Sequence, residues 1–547
     1  MAEDRISQVI KRWERLRGDQ SPWNQHWDDL SRVMLPSRYG HASTTIEGER
    51  RTDDLFDGTP QQAARALANA TASMIYPQGL PDFEMKTSSD RLNSQEEVQV
   101  WLADSKQRMI AAFDNPKAMF RQASGEKFLD LVVIGTGPIF TGEAASRRNL
   151  IFKARSMKNT VVAFDEDGLP ESVFNHRKMP LRWLQSRFGD ESLSEGSRRK
   201  IEQGNADDKV DVLHAVQPRP NGRPDAVFTK NLPVEDLWIE VGAKKELQQG
   251  GYHENPFSVP RWDTSSDEDY GRSPGMIALP DADTLQAMGE TVLISGQRAA
   301  DPPLAVPNDG AFDAINTFPG GLAYYDIQTA AALGRIPFSP IESGTNLPIT
   351  RDMQLDVREQ VWAAFYRNIL RLPTEGPQMT ATEIIARKEE FIREVGPVFG
   401  RFESTDTAPT VERAFMVMLR AGAFAPIPPA LQGQDVLFEY DSVIKRIRLQ
   451  IEAAAAKQWA AEMFQLEEVS PGAADLVNAE ALGRFSAKAA GIPQQVVNSV
   501  EEVERIRSIS AKAMAEQRAL DDAREAIDLA KGAGEAEAAA TQAQTGG

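Results

Sequence analysis

The chain has 547 residues, of which 41% are hydrophobic and 26% charged, as in folded proteins built from more than one domain. It contains no cysteine, which excludes disulfide bonds, thiolate metal sites and cysteine nucleophiles. Its 61 basic and 80 acidic residues give a net charge of −19, which argues against tight binding of nucleic acid along the whole surface.

The N-terminal quarter of the chain is predicted to be helical. Apolar residues recur every three or four positions over residues 1–35. Thr59 is the predicted N-cap of a second helix, with Pro60 at its first position and its end at Ile75. Two more helices are predicted over Ser94–Phe113, with Asn93 or Ser94 as the cap, and over Pro116–Val133.

Residues 134–262 are predicted to form a β-rich module. Val161–Phe164 and Val173–His176 flank the turn residues Asp165–Gly168, which is typical of a β-hairpin with a glycine-containing loop. Leu181–Phe188 is predicted to be a short helix. Further strands are predicted over Val210–Gln217, Ala226–Lys230 and Asp236–Val241.

The remainder of the chain is predicted to be mainly helical. Thr380 and Glu383 form a capping box at the start of a long helix, in which Gly396-Pro397 should cause a kink or a break. The proline-rich residues 299–348 and 422–440 predict irregular connections. Helices return from Pro274, and they are predicted over Asp283–Arg298, Asp352–Leu370, Val411–Ala421, Tyr440–Val469, Ala474–Ala490 and Pro493–Gln517.

The sequence carries no recognisable catalytic, cofactor-binding or metal-binding motif. Its five histidines are scattered, and no phosphate-binding loop or nucleophile elbow is present. Asp53-Asp54 could chelate Mg²⁺, but nothing nearby completes a two-metal site. Asp263–Asp269 lacks the central glycine of a calcium loop and is better explained as a solvated turn. No apolar run predicts a membrane span or a signal peptide, so synthesis in the cytoplasm is expected.

Three segments resemble the portal (head-to-tail connector) family of podoviruses, which are short-tailed bacteriophages. The order of the predicted elements agrees with that family over roughly residues 1–510. The segments are Pro260-Arg-Trp262 through Tyr270-Gly-Arg-Ser-Pro274-Gly into Leu279–Met288, then Met379–Ile384, and the aromatic-rich first helix with the Pro36-Ser37 break and an alanine-rich helix ending in Tyr76-Pro77.

The resemblance implies a mainly helical α+β fold with portal architecture, in which a wing, a stem, a clip and a crown surround a central channel. It also implies a division of the chain. The parts are 1–271, wing, with the β-rich module; 272–298, first stem helix; 299–348, clip; 349–371, second stem helix; 372–379, tunnel loop; 380–439, long kinked helix and wing return; 440–520, helical crown; and 521–547, a low-complexity tail that is predicted to be disordered.

The resemblance assigns roles to individual residues. The tunnel loop that faces DNA would be formed by Arg371, Leu372, Pro373, Thr374, Glu375, Gly376, Pro377 and Gln378, with Thr380 and Glu383 capping the helix that follows. The packed faces of the stem helices would be formed by Met288, Val292, Leu293, Trp362, Phe365 and Ile369. Core packing within one subunit explains this last set equally well.

The implied function is structural: a homo-oligomeric ring, expected to be a dodecamer, through which DNA is packaged and ejected at one capsid vertex. The implied partners are double-stranded DNA, the terminase large subunit, a tail adaptor, and the major capsid and scaffolding proteins, with no membrane, no cofactor and no enzymatic activity. The location is the virion, and the host cytoplasm during assembly. The acidic charge suits a channel wall that does not trap phosphates, although it also fits simple solubility. Two alternatives are a metal-dependent nucleic-acid-processing enzyme and another virion component such as a tail adaptor.

Overall fold

The fold is known from a computed structural model, in which the chain forms two compact units, residues 1–444 and 445–547. None of the described helices combines the length and the hydropathy that crossing a bilayer requires. The described residues are 2–43, 46, 48–93, 95–144, 149–300, 304–305, 339–340, 347–367, 393, 396–397, 400–440, 443–466, 470, 472–490, 492, 496–498 and 502–517.

The first unit opens with helices, as the sequence predicts, and with a short strand, β1, that was not predicted. The predicted helix over residues 1–35 is two helices that meet at Gln20. These elements are α1 (Ala2–Asp19), α2 (Ser21–Met34), α3 (Thr59–Ile75), β1 (Phe83–Thr87), α4 (Asp90–Asn93), α5 (Glu96–Asp114) and α6 (Phe120–Ile134).

The predicted helix caps Thr59 and Asn93 were wrong, and the alternative cap Ser94 lies outside the described residues. Thr59 is the first residue of α3, and its backbone N–H donates to the Asp57 carboxylate at 2.8 Å. Asn93 does not cap α5, because its side chain is held by the backbone of Thr87 at the end of β1. Gln95 precedes α5 instead, without a side-chain hydrogen bond.

The β-rich module contains two antiparallel sheets. The strands β2 (Ile139–Glu143), β3 (Leu150–Ala154) and β9 (Phe257–Ser258) form one sheet in the order β3-β2-β9. The strands β4 (Thr160–Phe164), β5 (Pro170–Pro180), β6 (Lys209–Pro218), β7 (Val234–Glu240) and β8 (Lys245–Tyr252) form a five-stranded meander in chain order. The pairing of β4 with β5 confirms the predicted hairpin.

Two strand predictions differ from the structure. Ala226–Lys230 is a turn that leads into a single 3₁₀ turn at Thr229–Asn231, and Val227 and Phe228 in it are largely exposed. This apolar segment pairs with no strand among the described residues, so its β propensity alone does not make it a strand. β8 was not predicted, since its Gln-Gln-Gly-Gly run has little β propensity and is recruited by pairing with β7.

The five-stranded sheet is covered on both faces. On one face α1 packs through Ile6, Val9, Ile10 and Trp13 against apolar side chains of β4 to β7. The other face is covered at one end by two short helices, α7 (Leu181–Phe188) and α8 (Glu195–Glu202). That second cluster consists of Leu181, Leu184, Leu193, Val212, Trp238 and Leu247.

Helices return after the β-rich module. Gly396 and Pro397 are helical, but residues 394–395 and 398–399, on which the predicted kink depends, lie outside the described residues. A π-helical turn follows over Glu403–Thr407. The elements are α9 (Pro274–Ala300), the paired β10 (Leu304–Ala305) and β11 (Ser339–Pro340), α10 (Leu347–Ala364), α11 (Ala408–Arg420) and β12 (Val436–Tyr440). β12 was not predicted, and it pairs with β1.

The second unit is mainly helical where it is described, as the sequence predicts, but residues 474–478 and 496–498, which were predicted to be helical, are not α-helical. Its helices are α12 (Val443–Leu466), which begins at the end of the first unit, α13 (Ala479–Ala489) and a helix over residues 502–517. Apolar side chains such as Trp459, Phe464 and Ile509 are exposed on these helices.

A buried ionic cluster joins three distant parts of the first unit. Lys127 in α6 forms an ion pair with Asp406 in the π-helical turn, and both side chains are fully buried. The Tyr76 hydroxyl after α3 donates to the same carboxylate at 2.7 Å. Burial lowers the pKa of Lys127, partly offset by Asp406, and burial together with Asp406 raises the pKa of Tyr76 well above its usual range. Separating such a pair leaves a buried charge without a partner.

We predict that Lys127→Met destabilises the first unit by about 3–5 kcal/mol, because it leaves the Asp406 carboxylate buried without its cationic partner. Lys127→Met/Asp406→Asn removes both charges and should recover part of that loss in thermal unfolding. Lys106→Met, which breaks the exposed pair with Glu84 at 2.7 Å, is the control and should cost about 0–1 kcal/mol. A double variant no more stable than Lys127→Met would contradict the ionic explanation.

Candidate functional site

The segment 260–276 connects the β-rich module to α9 by wrapping around the end of α6. The Trp262 backbone N–H donates to the Gly135 carbonyl at 2.9 Å, and the Gly271 N–H donates to the Thr136 hydroxyl at 2.9 Å. Asp263 and Arg272 exchange two backbone hydrogen bonds, which closes the segment into a hairpin-like loop. The segment that carried the family resemblance is therefore a structural junction.

Two glycines make this junction possible. Gly135 ends α6 with a φ of +91°, and its N–H donates to the carbonyls of Asp130 and Leu131. A Cβ on Gly135 would overlap the carbonyl oxygen of Gly271, and a Cβ on Gly271 would overlap that of Gly135. The left-handed conformation and the close backbone approach both require glycine here.

Ser273 fixes the start of α9. Its hydroxyl donates to the Val133 carbonyl at 2.7 Å and accepts from the Met276 N–H at 3.1 Å, as a capping serine does. The start of α9 at Pro274 confirms the predicted boundary. The start of α9 is thereby tied to the last turn of α6.

Trp262 brings together the end of α10 and the helical residues 400–402. Its ring lies 6.3 Å from that of Tyr366 and 5.5 Å from that of Phe402, centroid to centroid. The Arg401 guanidinium donates to the Trp262 carbonyl at 2.6 Å and pairs with Asp263 at 2.9 Å. The chain on either side of residues 368–399 is thus held at one buried tryptophan.

A second set of contacts anchors α9 and α10 to the start of α3. The Gln286 side chain in α9 accepts from the N–H groups of Phe56 and Asp57, at 2.8 and 2.9 Å, and donates to the Asp57 carbonyl. Arg358 in α10 contacts the Asp57 carboxylate through two nitrogens, at 2.9 and 2.8 Å. Burial acts to raise the pKa of Asp57, but hydrogen bonds from Thr59 and Arg358 outweigh it, so this pKa is lowered.

The predicted stem-packing residues do not share one environment. Phe365 is buried in the main core, and Trp362 packs against that core with Arg367 above its ring at 4.2 Å. Met288 and Val292 are half-buried, and Leu293 is 52% exposed. Ile369, the loop Arg371–Gln378 and the cap residues Thr380 and Glu383 lie outside the described residues.

Two features of α9 and α10 were not predicted from the sequence: the anchoring role of Gln286 and some of the exposed apolar residues. Gln286 follows the buried Leu285 on a helix, and a polar residue on an apolar stripe was the available signal. Exposed apolar residues on the pair also include Ile277, Ile294, Met353 and Leu355. In the part of the chain that the structure describes, no three acidic or histidine side chains are grouped to hold a metal ion.

Comparisons with known proteins point in one direction. A family model described as "Bacteriophage head to tail connecting protein" matches residues 7–497. The "Probable portal protein" of Bordetella phage BPP-1 is 26% identical over 510 residues, covering 91% of this chain and 90% of the relative. The "Portal protein" of Salmonella phage epsilon15 is 26% identical over 524 residues, covering 94% and 92%.

Solved structures from a gene transfer agent particle are weakly similar. A chain of "Virion of native gene transfer agent (GTA) particle" is 12% identical, with 82% of this chain and 96% of that chain covered and a TM-score of 0.36. A chain of "Neck of native GTA particle computed with C12 symmetry" is 11% identical, with 79% and 91% covered and the same TM-score. Similarity this low carries no argument about fold or assembly.

We predict that Gly271→Ala destabilises the junction by about 1–3 kcal/mol, because the new methyl group overlaps the Gly135 carbonyl. Thermal unfolding and proteolysis between the β-rich module and α9 measure the effect. Gly296→Ala, in α9 with no atom within 4 Å of the new Cβ, is the control and should be neutral or slightly stabilising. Equal stability of the two variants would rule out the close approach.

Proposed function

Because this chain belongs to the bacteriophage head to tail connecting protein family, it is a portal subunit of a virion, and we propose that its copies close into a dodecameric ring that conducts DNA. The subunit is located at the portal vertex of the capsid. The family match over residues 7–497 is the observation that carries the proposal. Packaging and ejection of the genome would both use the same bore.

The pair α9 and α10 is the proposed stem. α9 has 27 residues, which corresponds to about 40 Å of helix. The pair is anchored by Asp57, Gln286 and Arg358 on one side and by Ser273 at its start, so it would project from the wing as a fixed unit. Residues 299–348, between the two helices, are the proposed clip.

The exposed apolar side chains of this pair support contacts between copies. Leu293 is 52% exposed, Met353 55% and Leu355 48%, whereas a stem helix in water would expose polar residues. A closed ring would bury these side chains against the neighbouring subunit. Such burial would also offset the repulsion between copies that each carry a charge of −19.

The bore is proposed to be acidic and non-gripping, with residues Arg371–Gln378 as the tunnel loop. The loop carries one arginine and one glutamate, so it lacks the basic cluster that would hold phosphates. The proposed partners are the terminase large subunit and a tail adaptor at the clip, and the major capsid and scaffolding proteins at the wing. We propose no catalytic role, so the purified protein should not cleave DNA in the presence of Mg²⁺.

We predict that Leu293→Asp/Leu355→Asp prevents ring closure, because two new charges would be placed in each contact between copies. Mass photometry and negative-stain imaging should show monomers with an unchanged circular dichroism spectrum. Leu169→Asp, at a β-hairpin residue of similar exposure (47%), is the control and should still form rings. A wild-type protein that stays monomeric at high concentration would contradict the proposed function itself.

We predict that Thr380→Ala/Glu383→Ala impairs DNA packaging although rings still form. Losing the capping box costs about 0.5–2 kcal/mol and loosens the start of the helix that follows the tunnel loop. Thr382→Ala alters the same segment without touching the box and serves as the control. Packaging at the wild-type level in the double variant would argue against this placement of the tunnel loop.

A further inference from the structure

Four basic side chains lie close together beside the five-stranded sheet, so that, after burial, their mutual positive charge lowers the pKa of Lys153 and of Arg155. We call these four side chains the cationic pocket. They are Lys153 and Arg155 at the end of β3, Arg177 in β5 and Arg187 in α7. None of the four side chains forms a hydrogen bond or an ion pair with the described residues. Arg155 is buried and Arg177 half-buried, whereas Lys153 and Arg187 are exposed, and the Arg187 guanidinium lies over the rings of Trp183, Phe188 and Trp238.

Arg155 is the centre of the cationic pocket. It is only 7% exposed, and its Nε is buried without a hydrogen-bond partner. Its guanidinium carbon lies 5.9 Å from the centroid of the Phe140 ring. Burial, followed by the positive charges of Arg177 and Arg187, lowers the pKa of Arg155 to about 9. A buried cation without a counter-charge is strongly unfavourable, so the site is incomplete as it stands.

Aromatic side chains on the adjacent sheet face line the same region. His214 stacks on Trp238 with centroids 4.2 Å apart, and Arg187 lies 4.5 Å above the Trp238 ring. The Phe140 ring, which Arg155 covers, is 6.4 Å from His214. These contacts link Arg155 to Arg187 through Phe140 of β2 and through His214 and Trp238 of the five-stranded sheet.

Two further nitrogen atoms are buried here without partners, namely Trp238 Nε1 and His214 Nδ1. The carboxylate in this region, Asp236, is already engaged by His214 Nε2 at 2.8 Å and by Tyr252. The buried N–H groups of Arg155 and Trp238 therefore have no acceptor among the described residues. Two orphaned donors beside the buried Arg155 and the half-buried Arg177 call for an anionic acceptor.

We propose that the cationic pocket binds a phosphate group. The planar guanidinium pairs with phosphate through parallel hydrogen bonds, and a doubly charged oxyanion can neutralise several cations at once. The near-complete burial of Arg155 favours a small oxyanion over a flat polyanionic surface. The phosphate would come either from solution, as inorganic phosphate, or from an ester group of nucleic acid. This site does not depend on the proposed ring.

The test is a titration of the full chain with inorganic phosphate at constant ionic strength, followed by calorimetry and thermal unfolding. Phosphate should raise the unfolding midpoint of the wild type, since a ligand that binds only the folded state stabilises it. Arg155→Met should weaken phosphate binding by about tenfold or more, the loss expected for one charge-assisted hydrogen bond. Without phosphate it should unfold at the same or a higher temperature than the wild type.

Arg182→Met is the matched control, because Arg182 is an exposed residue of α7 that pairs with Asp207 at 3.0 Å. It should bind phosphate like the wild type. Should Arg155→Met fail to fold, Arg177→Met and Arg187→Met provide the same test from less buried positions. Each of these variants should also weaken phosphate binding.

A short DNA duplex forms the second arm of the experiment. Duplex binding that depends on Arg155, without any effect of inorganic phosphate, would assign the site to a nucleic-acid phosphate and support the proposal. Absence of Arg155-dependent binding of either probe would overturn it. The proposal would also be overturned if Arg155→Met blocked association of the copies without changing the binding of either probe. The occupant would then be a carboxylate of a second copy.

Discussion

The close approach of two backbone segments at Gly135 and Gly271 is the constraint on which the first unit depends. Because neither glycine has a side chain, the last turn of α6 can lie directly against the loop that precedes α9. A Cβ at either position would overlap the carbonyl oxygen of the other glycine. Trp262 is then fixed relative to α6 by its backbone N–H, which donates to the Gly135 carbonyl, and Ser273 by its hydroxyl, which donates to the Val133 carbonyl. The direction of α9, and with it that of the anchored pair, follows from this one contact.

Local sequence patterns were sufficient for most elements of the fold. The helix boundaries at Leu181–Phe188 and at Pro274, and the hairpin of β4 and β5, depend on turn residues and apolar periodicity within a few positions. β8 and β12 could not be predicted in this way. Each is created by a partner strand, and the partner of β12 lies more than 340 residues away in the chain.

The candidate site was predicted only in part. The segment 260–276 was recognised from its residues, but its role as a junction required the contacts with Gly135, Tyr366 and Phe402. The pairing of Lys127 with Asp406 spans 279 positions and leaves no periodic signal in the sequence. The same holds for the cationic pocket, whose members come from three separate elements. Long-range polar contacts of this kind follow from the tertiary fold.

The π-helical turn at Glu403–Thr407 has a consequence for how this region can vary in length. A π turn accommodates one extra residue in a helix without breaking it, so the segments before and after it are rotated by about 100° relative to a regular helix. Deleting one residue there would restore a regular α-helix. It would also rotate the helical residues that precede the turn by about 100° about the helix axis. Since Asp406 must face Lys127, related chains should keep this extra residue even where neighbouring loops gain or lose several.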